Sequence, residues 1–157
     1  MTSVTISKIA CIFCGLCAFG VFGLTRSARA ALGDDVSSVE QDRARMGASL
    51  QVRRSTGYDV HEMAAPIGST VREFVGPDGK VFAVSWSGGW RPNLRDLMGV
   101  HYDRFIAGMA GRRRSRAPMR LELPGMVVVM GGHLRTFFGH AYLTDMLPAG
   151  FSTQEMR

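Results

Sequence analysis

The stretch Thr70-Val71-Arg72-Glu73-Phe74-Val75-Gly76-Pro77-Asp78-Gly79-Lys80-Val81-Phe82-Ala83-Val84-Ser85-Trp86-Ser87 decides the fold class. Its centre, Gly76-Pro77-Asp78-Gly79, is a turn, because proline presets φ and glycine accepts a positive φ. In the second flank Phe82, Val84 and Trp86 point one way and Ala83, Ser85 and Ser87 the other, the period of a half-buried strand. Two such flanks around a tight turn predict an antiparallel hairpin, and runs of short strands joined this way favour an antiparallel sheet.

The same reading extends outward in both directions. Residues 58–63 alternate as a strand on the N-terminal side. On the C-terminal side, residues 119–123 alternate, Pro124-Gly125 turns the chain, and the apolar run 126–130 reads as a central strand. Gly131-Gly132 reads as a two-residue hairpin turn into a strand over 133–142. A helix over about 38–50 opens with two capping-box spacings, Ser37…Glu40 and Ser38…Gln41. A second helix over 93–110 is capped by Asn93 and carries Leu94, Leu97, Met98, His101 and Phe105 on one stripe, widened by Tyr102 and Ile106. The order is α-βββ-α-βββ. It predicts an α+β fold of two layers, a six-stranded antiparallel sheet with two helices on one face, with a possible α-βββ duplication.

Composition concerns the other end of the chain. Of 157 residues, 19 are Lys or Arg and 13 Asp or Glu, a formal net charge of +6. Residues 1–30 hold Lys8, Arg26, Arg29, no carboxylate and all three cysteines, so the remainder carries only +3. Lys8, the uncharged apolar run 9–24 and Ala28-Arg29-Ala30 are the three parts of a secretory signal, with cleavage expected after Ala30. The run is shorter than the ~20 residues that span a bilayer. The expected organisation is therefore a signal peptide over 1–30 and a single exported α+β domain over 31–157, periplasmic or secreted, with no transmembrane segment after processing. That domain lacks cysteine, which excludes disulfides, thiolate metal sites and a Cys nucleophile. Export also removes nucleic acid from the expected partners and leaves envelope proteins or an anionic membrane surface.

No nucleophile elbow, zinc-protease helix or phosphate-cradling loop occurs, so no catalytic residue is assigned. His101, beside Asp103, falls on the apolar stripe and reads as a half-buried core histidine. His133 and His140, seven apart on one expected strand, point to opposite faces, which argues against a shared metal; His61 and Glu62 diverge in the same way. No metal or cofactor is expected. The run Arg112-Arg113-Arg114-Ser115-Arg116 is the strongest charge feature: Arg112, Arg113, Arg114 and Arg116 are candidates for binding anionic headgroups or polymers, or form a solvated loop. Trp90 beside Arg91 in a glycine loop is a candidate partner contact, or else folds over the sheet edge.

The chain after residue 30 resembles a family of uncharacterised exported proteins of Gram-negative bacteria, a domain of unknown function. The resemblance spans 31–157. It rests on Ala31-Leu32-Gly33, Val71-Arg72-Glu73-Phe74-Val75, Val81-Phe82-Ala83-Val84-Ser85-Trp86 and Leu94-Arg95-Asp96-Leu97-Met98-Gly99. Towards the end it rests on Gly131-Gly132-His133-Leu134-Arg135, Gly139-His140-Ala141-Tyr142-Leu143 and Leu147-Pro148-Ala149-Gly150. It implies export and one domain, and no reaction. The residues themselves leave two function classes open: a non-catalytic binding or interaction module, or a small hydrolase using His133 or His140 with a carboxylate such as Asp145.

Overall fold

Residues 32–112 and 117–156 are described by a computed structural model. The 76–79 turn forms as its residues dictate: Gly79 takes φ 75° and Gly76 N–H donates to the Lys80 carbonyl at 2.8 Å. It joins two strands of a seven-stranded antiparallel sheet. In chain order the elements are α1 (Ser37–Met46), β1 (Ser49–Ser55), β2 (Tyr58–Ala65), β3 (Ser69–Val75), β4 (Val81–Gly88), α2 (Leu94–Met98), α3 (Tyr102–Met109), β5 (Met119–Leu123), β6 (Met126–His133) and β7 (Thr136–Leu143). The spatial order is β1-β2-β3-β4-β7-β6-β5, so two meanders meet through their last strands, β4 and β7.

Both faces of the sheet are partly covered, by different means. On one face Val39 of α1, Leu97 and Met98 of α2 and Phe105 of α3 pack on Met63, Val84, Trp86 and Val128. The segment ahead of α1 joins this layer: Leu32 is fully buried and its N–H donates to the Leu97 carbonyl at 2.9 Å. Gly139 lets the Trp86 indole lie against the sheet, since a Cβ there would stand 2.3 Å from the ring. On the other face the C-terminal segment returns across one half, where Phe151 meets Phe82 at 4.9 Å and Phe74 at 5.6 Å between ring centroids. Among the described residues nothing covers the rest of that face.

The α+β class, the antiparallel sheet and the helices on one face hold; several details differ. The sheet has seven strands, not six. Gly47 ends α1 in the left-handed region at φ 58°, and the chain then forms edge strand β1, where the expected helix continued to residue 50. β1 is mostly exposed on both faces and so lacks the alternation that marks a strand in sequence. With four strands in the first half and three in the second, the α-βββ repeat is not a literal one. The capping boxes do not form: Asp35 opens α1 instead, its Oδ1 accepting from Ser37 N–H at 2.9 Å and its carbonyl from the Ser38 hydroxyl. The helix expected over 93–110 breaks at Gly99, whose φ 49° and ψ −124° lie outside helical space; a 3-10 turn, Gly99–His101, follows, then α3. Asn93 does cap α2, its side chain accepting from Arg95 N–H. Ile106 is half exposed. Gly131-Gly132 is not the turn. β6 runs through it, and Leu134-Arg135 turns the chain, with Arg135 at φ 66°.

The largest departure is at Phe82. Val81 pairs with Val75 and Ala83 with Phe74, so Phe82 is the extra residue of a β-bulge and turns to the face of Ala83, away from Val84 and Trp86. The α2 stripe behaves as expected. Leu97→Ala is predicted to cost about 2–5 kcal/mol, measured by denaturant unfolding; an unchanged midpoint would show that Leu97 carries no core packing.

Candidate functional site

Antiparallel register assembles a row of side chains across the open face that no local stretch contains. Glu62, Arg72, Ser85, His140, Val129 and Arg120 are successive cross-strand neighbours on β2, β3, β4, β7, β6 and β5. They share one face because directly paired residues on neighbouring strands point to the same side of the sheet. A cavity of about 530 Å³ opens over the middle of this row, within the range of small-molecule sites. The C-terminal segment bounds it through Thr153 and Met156, and Phe138 forms a wall. Gly131, opposite Phe138, makes room for that ring: a Cβ at Gly131 would meet its tip at 2.7 Å.

The cavity has cationic flanks and a mixed floor. Arg72 Nε donates to Glu62 Oε2 at 2.6 Å, which orients the guanidinium and leaves its other N–H groups for a ligand. On the opposite flank Arg120 Nε donates to Glu122 Oε1 at 2.8 Å; this bond first, then one to Tyr142, holds its pKa above the ordinary arginine value. Between them lie Ser85, nearly fully buried, and His140, whose ring stacks beside Tyr142. No carboxylate lines the cavity among the described residues. Such a floor, cationic at both ends and apolar at its walls, suits an amphipathic anion.

The residues singled out in the sequence are scattered. His133 and His140 lie on different strands of one hairpin, not on one strand, because the turn falls at 134–135. His140 reaches the cavity; His133 is exposed at the strand end. Asp145 follows β7 in a 3-10 turn beside Gly125 and does not line the cavity. His101 is half-buried as expected: burial first, then Arg104, 3.1 Å away, pushes its pKa down. His61 and Glu62 fall on opposite faces. Among the described residues no cluster of three or more His, Cys, Asp or Glu is arranged to hold a metal ion. Trp90 is 65% exposed and does not fold over the sheet edge; Arg91 lies over the Phe137 ring at 5.3 Å. Of the arginine run, Arg112 donates to the Arg120 carbonyl at 3.3 Å, and Arg113, Arg114 and Arg116 lie outside the described residues.

Sequence reasoning missed Arg72, Ser85 and Arg120 as neighbours, and it missed a buried acid pair under α1. Glu73 is fully buried and Asp42 almost so, and neither Glu73 oxygen meets a protein donor. Burial first, then the facing Asp42, pushes Glu73 up to about 8; burial raises Asp42 to about 6 against the pull of Arg45, 2.8 Å away. With both values raised, a proton held between the two carboxyls is the arrangement that lets them face each other. The pair is sealed between helix and sheet, remote from the cavity face.

The architecture defines a two-layer α+β protein: a double-meander antiparallel sheet, helices on one face and a ligand-sized cleft on the other. The chain belongs to the family described as "Protein of unknown function (DUF2844)", which matches residues 28–156. No curated protein and no solved structure matches the chain. No helix among the described residues is long and apolar enough to cross a membrane.

Proposed function

We propose that the protein is an exported, non-catalytic binding module whose cleft takes a small amphipathic anion. The observation that carries this reading is the 530 Å³ cavity with Arg72 and Arg120 at its two ends. Export rests on Lys8, the apolar run 9–24 and Ala28-x-Ala30. Intact mass spectrometry of periplasmic protein tests the cleavage: a chain starting at Ala31 is expected, and a full-length membrane-bound chain would overturn it.

Anilinonaphthalene sulfonate, an aromatic anion of suitable size, tests the cleft. Saturable fluorescence enhancement is expected. Arg72→Gln and Arg120→Gln should each weaken binding about tenfold, the ~1.4 kcal/mol of one charge-assisted hydrogen bond. Val129→Trp, which fills the floor, should abolish it. Enhancement that survives Val129→Trp would place the dye elsewhere and sink the assignment.

The adjacency of Ser85 and His140 favours a second reading, ester hydrolysis with Ser85 as nucleophile and His140 as base. The guanidinium groups of Arg72 and Arg120 at the ends of the cavity leave binding the better supported function. Turnover of p-nitrophenyl butyrate that disappears in Ser85→Ala would reverse that preference.

A further inference from the structure

Three turns meet at one end of the sheet, and together they present the most exposed apolar side chains among the described residues apart from Val100. Ser69 pairs with Gly88 and Gly88 with Phe137, so the β2–β3 turn, the segment after β4 and the β6–β7 turn lie side by side. Ile67 on the first is 64% exposed, Trp90 on the second 65% and Leu134 on the third 89%; Phe138, 40% exposed, adjoins them on β7. The backbone beneath these side chains is tightly held. Gly89 N–H donates to the Gly68 carbonyl at 3.2 Å. The Ser69 hydroxyl accepts from Trp90 N–H at 3.0 Å and donates to the Trp90 carbonyl at 2.9 Å. At Gly88, φ 137°, a Cβ would stand 2.4 Å from the Gly68 carbonyl oxygen, so only glycine lets these two segments approach. Anchored backbone with projecting indole and aliphatic groups is a presentation of those groups to something outside the chain.

Charge narrows what that is. Residues 65–69, 88–92 and 133–136 contain Arg91, His133 and Arg135 and no Asp or Glu, although the chain has 13 carboxylates. A second copy docked by the same end would oppose Arg91 and Arg135 to themselves. The apolar groups come from three different turns, with no carboxylate among them to pair with a basic partner. A lipid interface needs no shape complementarity: apolar side chains enter the acyl boundary, an indole rests at headgroup level, and guanidinium groups bond phosphates. We infer that this end of the sheet docks the protein on an anionic phospholipid surface, with Ile67, Trp90 and Leu134 inserted and Arg91 and Arg135 at the phosphates.

Tryptophan fluorescence isolates the event, because the chain has two tryptophans and the other, Trp86, is buried in the helix-side core. The N-terminal apolar run contains none, so a retained leader cannot imitate the signal. With vesicles of equal parts phosphatidylglycerol and brominated phosphatidylcholine, the emission should shift to the blue and be quenched. Trp90→Phe should remove the quenchable component and leave the Trp86 emission. Ile67→Ser with Leu134→Ser should raise the vesicle concentration needed for half-maximal quenching by tenfold or more, as should Arg91→Gln with Arg135→Gln at low salt. All these positions are at the surface, and unchanged melting temperatures are expected to accompany the losses. Wild-type emission indifferent to the anionic vesicles would overturn the inference. So would quenching that persists in Trp90→Phe, or a double serine variant that binds as the wild type does.

Discussion

Raising the pH from 5 to 9 is expected to destabilise the protein by roughly 4–5 kcal/mol, and Glu73→Gln is expected to remove most of that loss. Glu73 is held up to about 8 in the folded chain against an ordinary 4.5, and Asp42 to about 6 against 3.8. Both shifts raise the folded value, so the folded state binds more protons than the unfolded one over the interval between. The stabilising contribution is complete below pH 4, where both forms are protonated. It declines as the unfolded carboxyls ionise and is gone once the pH passes about 8. The two acids share one proton and titrate as a unit, so their effects do not simply add. An amide at position 73 donates permanently to the Asp42 carboxylate and replaces the shared proton. The groups around the pair are Arg45, which bridges Asp42 to Asp96 at 2.8 and 3.5 Å, and His61, the cross-strand neighbour of Glu73, whose pKa burial lowers. Thermal unfolding read across pH checks this. A wild-type midpoint falling by about 10–20 °C between pH 5 and 9, with a much flatter Glu73→Gln profile, is expected; a flat wild-type profile would show that Glu73 is not buried as an acid.

Phe82→Ala should cost about 3–5 kcal/mol, and the partner of that loss is the more informative result. Plain alternation along β4 places Phe82 with Val84 and Trp86 under the helices. The bulge places it instead against Tyr58, Phe74 and Phe151, whose ring centroids lie 4.9–6.2 Å away. A double-mutant cycle separates the two arrangements. Phe82→Ala and Phe151→Ala should be non-additive by about 0.5–3 kcal/mol, whereas Phe82→Ala and Leu97→Ala, on opposite faces, should add. Coupling to Leu97 rather than Phe151 would restore the unbulged strand. Because Phe151 holds the C-terminal segment on the sheet, Phe82→Ala should also loosen the wall of the cleft formed by Thr153 and Met156.

The elements that can be read from local pattern are those whose cause is local. The 76–79 turn, the alternation of β5, the apolar run of β6 and the stripe that buries Leu97, Met98 and Phe105 each depend on residues within one or two turns of chain. These signals suffice for an antiparallel α+β domain with its helices on one side. The apolar run 9–24 and Ala28-Arg29-Ala30 likewise need no fold to be read. Edge strand β1 left no such mark, because a strand that buries neither face has no reason to alternate. Gly99 and Gly131-Gly132 are ambiguous for a related reason: glycine permits a break or a turn, and only the surrounding packing selects one.

The cleft belongs to the other category. Glu62, Arg72, Ser85, His140 and Arg120 come from five strands, and nothing in their local sequence links them. They are neighbours because pairing register brings them level, and a slip of one residue in any strand would send its member to the helix face. The bulge at Phe82, the Glu73–Asp42 pair and the convergence of Ile67, Trp90 and Leu134 have the same origin. Side-chain period and turn chemistry are written within a few residues, so the sequence carries the secondary structure and the class of the fold. Which side chains face one another is set by hydrogen-bond register between distant segments and by the burial it enforces, and that information exists only once the sheet has closed.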